Sequence, residues 1–289
     1  MSMNSLIEQA ARRLEQLRQA GVHLPVVNGA GLPHEVPATA PAAVPERTSH
    51  SVEIDLARLA HAGYLTPLAP RSQVADQFRV VKRPLIGNAF GKQARDIAWG
   101  NLIMVTSAKP GEGKTFTAIN LAMSLATEQD TTVLLVDADV TRPSVMDVLG
   151  LPRSAGLMDL LQDDGVSLPD TLLRTNIDKL SLLPSGTPHP RATEMLASEA
   201  MARLLQDMAS RYPNRLIVFD SPPLLLATES RVLATHMGQV VVVVHAEQTL
   251  QSEVHAALAT IDSCPVRLML LNQARKAAAT GYDYGPAAA

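Results

Sequence analysis

The stretch Val105-Thr-Ser-Ala-Lys-Pro-Gly-Glu-Gly-Lys-Thr-Phe-Thr117 constrains the fold more than any other part of the chain. An apolar run, Asn101-Leu-Ile-Met-Val-Thr106, leads into it, and a helical segment from Ala118 to Ala126 follows it. Strand, glycine-rich turn and helix start therefore succeed one another directly. Gly113 is followed by Lys114 and Thr115, the pattern of a phosphate-binding P-loop. Backbone N–H groups of such a loop converge on phosphate oxygens, and the helix N-terminus adds partial positive charge. Lys114 is expected to reach the β/γ-phosphates, and the Thr115 hydroxyl to sit on Mg²⁺. Ala108 stands where the first glycine of G-x-x-x-x-G-K-T usually falls.

Two further apolar runs end in carboxylates. Val133-Leu-Leu-Val-Asp137-Ala-Asp139 ends in two, and Leu216-Ile-Val-Phe-Asp220-Ser-Pro-Pro223 in one. Open α/β sheets bind ligands outside the carboxyl ends of their strands. Three such strand ends would bring a lysine, a hydroxyl and three carboxylates to one edge. Mg²⁺ takes oxygen ligands and keeps several waters, so few protein ligands suffice. The alternative for each acid is that it caps a helix following its strand.

From residue 101 onward, strand-like and helix-like segments alternate. Strands are expected at 102–107, 132–137, 179–183, 215–220, 239–245 and 266–272, and helices at 114–128, 156–162, 193–211 and 249–262. Such alternation predicts an α/β fold with a mainly parallel sheet and helices on both faces. The continuous apolar runs Val240–Val244 and Leu268–Leu271 suit strands covered on both sides. Aromatic residues are only 3% of a chain that is 46% hydrophobic, so the core must be aliphatic.

The order P-loop, Asp-x-Asp, Asp-x-Pro-Pro resembles the bacterial tyrosine kinases, with their Walker A, A′ and B motifs. The resemblance runs through Lys82-Arg-Pro-Leu85, Asn101–Ser107, Pro110–Phe116, Leu135–Val140 and Phe219–Leu225, and covers roughly residues 1 to 272. It is similar in particular to the subgroup encoded with exopolysaccharide and exosortase systems. The resemblance implies a P-loop NTPase of the deviant Walker A group, related in fold to partition and septum ATPases. It implies ATP and Mg²⁺ as cofactors. Lys114, Asp137, Asp139 and Asp220 would be catalytic, and Thr115, Asp137 and Asp220 would hold the metal. Nucleotide would lie against Ala108, Lys109, Pro110, Gly111, Glu112, Gly113, Lys114, Thr115, Phe116 and Arg142. Asn272, at the end of the last strand, would hydrogen-bond adenine. Whether Asp137 or Asp139 activates the acceptor stays open. Two departures stand out. Thr141 occupies the family's usual arginine position, with Arg142 one residue later. Lys109 lies where partition and septum ATPases carry a signature lysine.

The chain divides into an expected N-terminal helix at 1–20 and a disordered Pro/Ala-rich linker at 21–52. A kinase domain at 53–272 and a flexible tail at 273–289 follow. Asp76-Gln-Phe-Arg79-Val-Val-Lys82 is a degenerate form of the family's Glu-x-x-Arg-x-x-Arg helix, which in relatives helps to close a ring of subunits. Arg79 and Lys82 at i,i+3 would reach an acidic neighbour together, or form a solvated face. The tail holds Tyr282 and Tyr284, two of only four tyrosines, as expected phosphoacceptors in trans. Net charge is −3, which offers no bulk electrostatic basis for nucleic-acid binding. Cys264 is the sole cysteine, and no apolar run approaches the ~20 residues that span a bilayer. The chain is expected in the cytoplasm, held at the inner face of the membrane by a partner. By resemblance that partner is a polysaccharide co-polymerase that activates the kinase. The rival readings are a partition- or septum-type ATPase acting as a dimerisation switch, and a regulator that binds nucleotide without transfer.

Overall fold

The computed structural model describes residues 50–67, 72–162 and 165–274, with the side chain of Gln93 also outside the description. The expected N-terminal helix, most of the linker and the tail tyrosines lie outside these residues. Eight strands form one sheet: β1 (Ser51–Val52), β2 (Leu102–Ser107), β3 (Thr132–Asp137), β4 (Leu173–Thr175), β5 (Leu180–Leu183), β6 (Arg215–Asp220), β7 (Gln239–His245) and β8 (Val266–Asn272). Their spatial order is β1-β4-β5-β3-β6-β2-β7-β8. Only the β4–β5 pair is antiparallel. The α/β class with a mainly parallel sheet is therefore as expected.

The helices are α1 (Leu56–His61), α2 (Gln73–Phe90), α3 (Lys114–Ala126), α4 (Val145–Leu149), α5 (Leu157–Gln162) and α6 (Leu168–Thr171), then α7 (Ala192–Leu196), α8 (Glu199–Arg211), α9 (Thr228–Ala234) and α10 (Gln251–Ala259). Alternation along the central strands builds two apolar layers. Ile103, Val105, Val133, Leu135, Leu216 and Val218 pack with α3 on one face. Leu102, Met104, Leu134, Val136, Ile217 and Phe219 pack with Met201, Leu205 and Met208 of α8 on the other. Each fully buried aliphatic side chain contributes roughly 1.5–3 kcal/mol, so a core this rich in aliphatic residues needs few aromatics beyond Phe78 and Phe219.

Several boundaries differ from those expected. The helix expected at 193–211 is two helices, because Ser198 is extended (ψ 159°) and its hydroxyl accepts from Met201 N at 3.2 Å, capping a new start. Ser51 and Val52, at the end of the segment expected as linker, pair with Arg174 and Thr175 of β4. Lys82 does not face outward beside Arg79. It is buried, pairs with Glu128 at 2.8 Å and donates to Ser124 O at 2.6 Å. Its long stem crosses to α3, and the C-terminal carbonyls of α3 attract its ammonium. The pair with Lys82 holds the Glu128 carboxyl below its ordinary range. Lys82 is thus an internal tie between α2 and α3, whereas among the described residues Arg79 pairs with Asp76 alone, on the helix surface.

Candidate active site

The site is built at the carboxyl ends of three neighbouring strands, β3, β6 and β2. Register places Asp220 opposite both Asp137 and Val105. The P-loop leaves β2 after Ser107 and enters α3 at Lys114. Gly111 and Gly113 have φ of +84° and +93°, a region that favours glycine. A Cβ on Gly113 would also lie 2.1 Å from Asn272 Nδ2. Gly113 caps α3 with no side-chain hydrogen bond, which leaves first-turn N–H groups for an anion. Ala108, in place of the usual first glycine, is fully buried in the apolar layer beneath the loop.

Side chains expected to work together do meet. Lys114 Nζ pairs with Asp139 Oδ2 at 3.0 Å. Thr115 Oγ1 donates to Asp220 Oδ2 at 2.7 Å and lies 3.0 Å from Ser144 Oγ. Asp137 Oδ2 accepts from the backbone N–H groups of Ser144 (3.1 Å) and Val145 (3.0 Å). Asp139 Oδ1 accepts from Thr141 Oγ1 and from Arg142 N. The Arg142 residue itself is exposed, and its backbone fixes Asp139. The Asp-Ser-Pro-Pro turn is locked to β2 by Thr106 Oγ1→Pro222 O (2.7 Å) and Ser221 Oγ→Val105 O (2.9 Å).

Asp137 Oδ1 and Asp220 Oδ1 are buried with no hydrogen-bond partner. Burial first, then Asp220's charge, pushes the Asp137 carboxyl up to about 7. Burial also pushes Asp220 up to about 7, against the opposing pull of Lys114 and the Thr115 hydrogen bond. Two buried carboxylates that repel each other, each with a free oxygen, beside a threonine hydroxyl, form a donor set that fits a hard divalent cation such as Mg²⁺.

Some placements were not foreseen. Asn272 Nδ2 donates to Glu112 O at 2.9 Å, so the amide expected for adenine braces the loop here. Glu112 is buried. Its Oε2 accepts from Lys109 N at 2.8 Å and its Oε1 from Thr249 Oγ1. Lys109 Nζ turns to Glu253 of α10, 2.9 Å away. Thr249, Glu253 and Ser144 thus support the loop, and no sequence motif singled them out. Ser144 carried one faint signal, its place just before a helix seven residues past Asp137. Phe116 and Asn272 both line a groove of about 710 Å³ between α2 and β8. Tyr64 packs its ring on Phe116, with centroids 5.0 Å apart, and burial followed by Asp220's charge raises its phenol.

Fold and site together define a P-loop protein of the α/β class. Residues 100–273 match the AAA domain family, and the chain belongs to it. Within that class its relatives are bacterial tyrosine-protein kinases, and the chain is one of them. It is 28% identical over 217 residues to tyrosine-protein kinase YwqD of Bacillus subtilis, covering 74% of this chain and 87% of that protein. It is 31% identical over 191 residues to tyrosine-protein kinase wzc of Salmonella typhimurium, covering 65% of this chain but only 26% of that much longer protein. Among solved structures, the chimerical protein CapA2B2 is 27% identical with a TM-score of 0.61, over 76% of this chain and 92% of that one. The VpsO kinase domain is 28% identical with a TM-score of 0.58, over 70% and 96%. The partition-ATPase alternative keeps only a likeness of fold.

Proposed function

We propose that this tyrosine-protein kinase uses Mg·ATP to phosphorylate Tyr282 and Tyr284 on a second copy of itself, and so regulates exopolysaccharide assembly. The observation that carries the reading is the pair of unpartnered buried carboxylate oxygens, on Asp137 and Asp220, beside Thr115 and Lys114. Phosphoryl transfer asks for positioning and charge stabilisation more than for covalent chemistry. Bound Mg²⁺ would neutralise charge on the β/γ oxygens. Thr115, Asp137 and Asp220 would hold it. The Gly111 and Gly113 backbone cradles phosphate, and Lys114 turns from Asp139 to the transferred group. Asp137 or Asp139 takes the acceptor phenol's proton: Asp137 has one oxygen without a partner, and Asp139 Oδ2 loses its partner once Lys114 turns away. The nucleotide base enters the groove beside Phe116 and Asn272.

Regulation of polysaccharide assembly, recruitment by a membrane co-polymerase and ring-type assembly rest on the resemblance. No helix among the described residues is long and apolar enough to cross a membrane, which is compatible with recruitment by a partner. The test is incubation with Mg·ATP followed by mass mapping of phosphotyrosine. Phosphate on Tyr282 and Tyr284, lost in a folded Lys114→Met variant, is the expected result. Full labelling in that variant would remove Lys114 from the mechanism.

A further inference from the structure

At the sheet edge opposite the P-loop, where β3, β5 and β6 begin, a cavity of about 240 Å³ is lined by Thr132, Arg174, Asp178, Lys179, Ser181 and Arg215, among others. Register sets four of these side chains on one face. Thr132 is opposite Arg215, and Arg174 is opposite Ser181. Ser181 in turn pairs with Leu134, two residues along from Thr132 and so on the same face. Three cations against one carboxylate leave two positive charges in excess.

The two arginines are not neutralised by the described residues. Among the described residues, neither Arg174 nor Arg215 forms an ion pair. The Arg215 guanidinium stacks 3.8 Å from the Tyr212 ring centroid, which fixes its plane. Arg215 Nε and Thr132 Oγ1 are both buried without a hydrogen-bond partner. Lys179 holds φ +65° and its ammonium donates to the carbonyls of Glu128 and Gln129, each at 2.9 Å. A partly desolvated, unpaired guanidinium is costly, and burial destabilises the Arg215 cation here. An oxyanion in the cavity would offset that cost.

We propose that this cavity is a phosphate-binding site, separate from the nucleotide site. A phosphate monoester carries about −1.5 to −2 charges near neutral pH, which matches the excess. Guanidinium forks suit phosphate oxygens. The phosphate can come from a phosphotyrosyl side chain or from the free anion. The proposal stands whether or not the chain transfers phosphate.

The P-loop also attracts phosphate, so the titration uses protein saturated with Mg·ADP. Inorganic phosphate and O-phosphotyrosine are added in turn while backbone amides are followed by NMR. Saturable shifts are expected at Thr132, Lys179 and Arg215. Arg174→Gln with Arg215→Gln should weaken the phosphate response at least 10-fold and leave Mg·ADP affinity unchanged. Arg174→Gln alone, at an exposed position, keeps the test sound if the double variant does not fold. Tighter O-phosphotyrosine binding names a side chain as the source, and tighter inorganic phosphate names the free anion. No shifts, unchanged shifts in the variants, or equal binding of glutarate would overturn the phosphate assignment.

Discussion

At the scale of single residues, the site is a set of charges arranged to need what it binds. Asp137 and Asp220 are raised from 3.8 to about 7, chiefly because burial disfavours ionisation, with Asp220's charge adding to the rise at Asp137 and Lys114 opposing it at Asp220. The folded state therefore holds protons that the unfolded chain has lost between about pH 4 and pH 7. Stability that is full below the ordinary carboxylate pKa is lost as pH rises through the raised one. In EDTA, Tm should fall between pH 5 and pH 8, and Mg·ADP should restore it most at pH 8. Asp137→Asn combined with Asp220→Asn should flatten the profile. A wild-type Tm that climbs over this range in EDTA would contradict the assignment. Lys114 shares this economy of charge, since its contact with Asp139 keeps an ammonium half-buried and ready for phosphate. The placement of these residues was legible in the sequence because each sits at a strand end, flagged by a glycine turn or a carboxylate after an apolar run. The roles of Asn272, Glu112 and Lys109 were not, because they depend on contacts with residues that lie far apart in the sequence. Asn272 meets Glu112 across 160 positions, and no local pattern encodes that meeting.

At the scale of elements, the central strands declared themselves and the margins did not. Runs such as Val240–Val243 are apolar on both faces and admit one reading. β4 has three residues, Leu173–Thr175, too few to establish a period, and its antiparallel pairing arises from a turn rather than a crossover helix. α2 was expected from its spacing, but the direction of Lys82 was not. A lysine three residues from an arginine looks solvated until α3 is placed beneath it. This placement separates two residues that the sequence alone had coupled. Lys82→Ala should cost about 2–3 kcal/mol in urea unfolding, because it leaves Glu128 and the Ser124 carbonyl without their cation. Arg79→Ala removes only an exposed i,i+3 pair and should cost under about 1 kcal/mol. Equal losses in the two variants would refute the internal tie. If α2 also meets a neighbouring subunit, Arg79→Ala alone should shift the mass distribution in light scattering toward monomer.

At the scale of the whole molecule, the described residues place the proposed phosphate site at one edge of the sheet and include no separate lobe to hold an acceptor. In the proposed mechanism, assembly brings acceptor and site together. Tyr64 and Tyr212 are poor acceptors for structural reasons. Tyr64 packs on Phe116; Tyr212 is exposed, with its ring held against the Arg215 guanidinium. Tyr282 and Tyr284 follow Ala274 by eight and ten residues. At up to ~3.3–3.6 Å per residue, that length can span a few tens of ångströms, enough to reach the strand ends of a neighbour. Each added phosphate brings roughly −1.5 to −2 charges. Beside Asp283, and near the carboxylates of the receiving site, this should repel the modified tail and loosen the assembly. The decisive mixture pairs a Lys114→Met protein that keeps its tyrosines with an active protein in which Tyr282 and Tyr284 are replaced by phenylalanine. Phosphate is expected on the inactive partner's tail, with a smaller average mass in light scattering afterwards. Label confined to Tyr64 or Tyr212 would mean that these tyrosines reach a site more readily than the tail does. No label on the inactive partner, with label retained in the wild-type protein alone, would place the transfer within one chain and remove the need for assembly in catalysis.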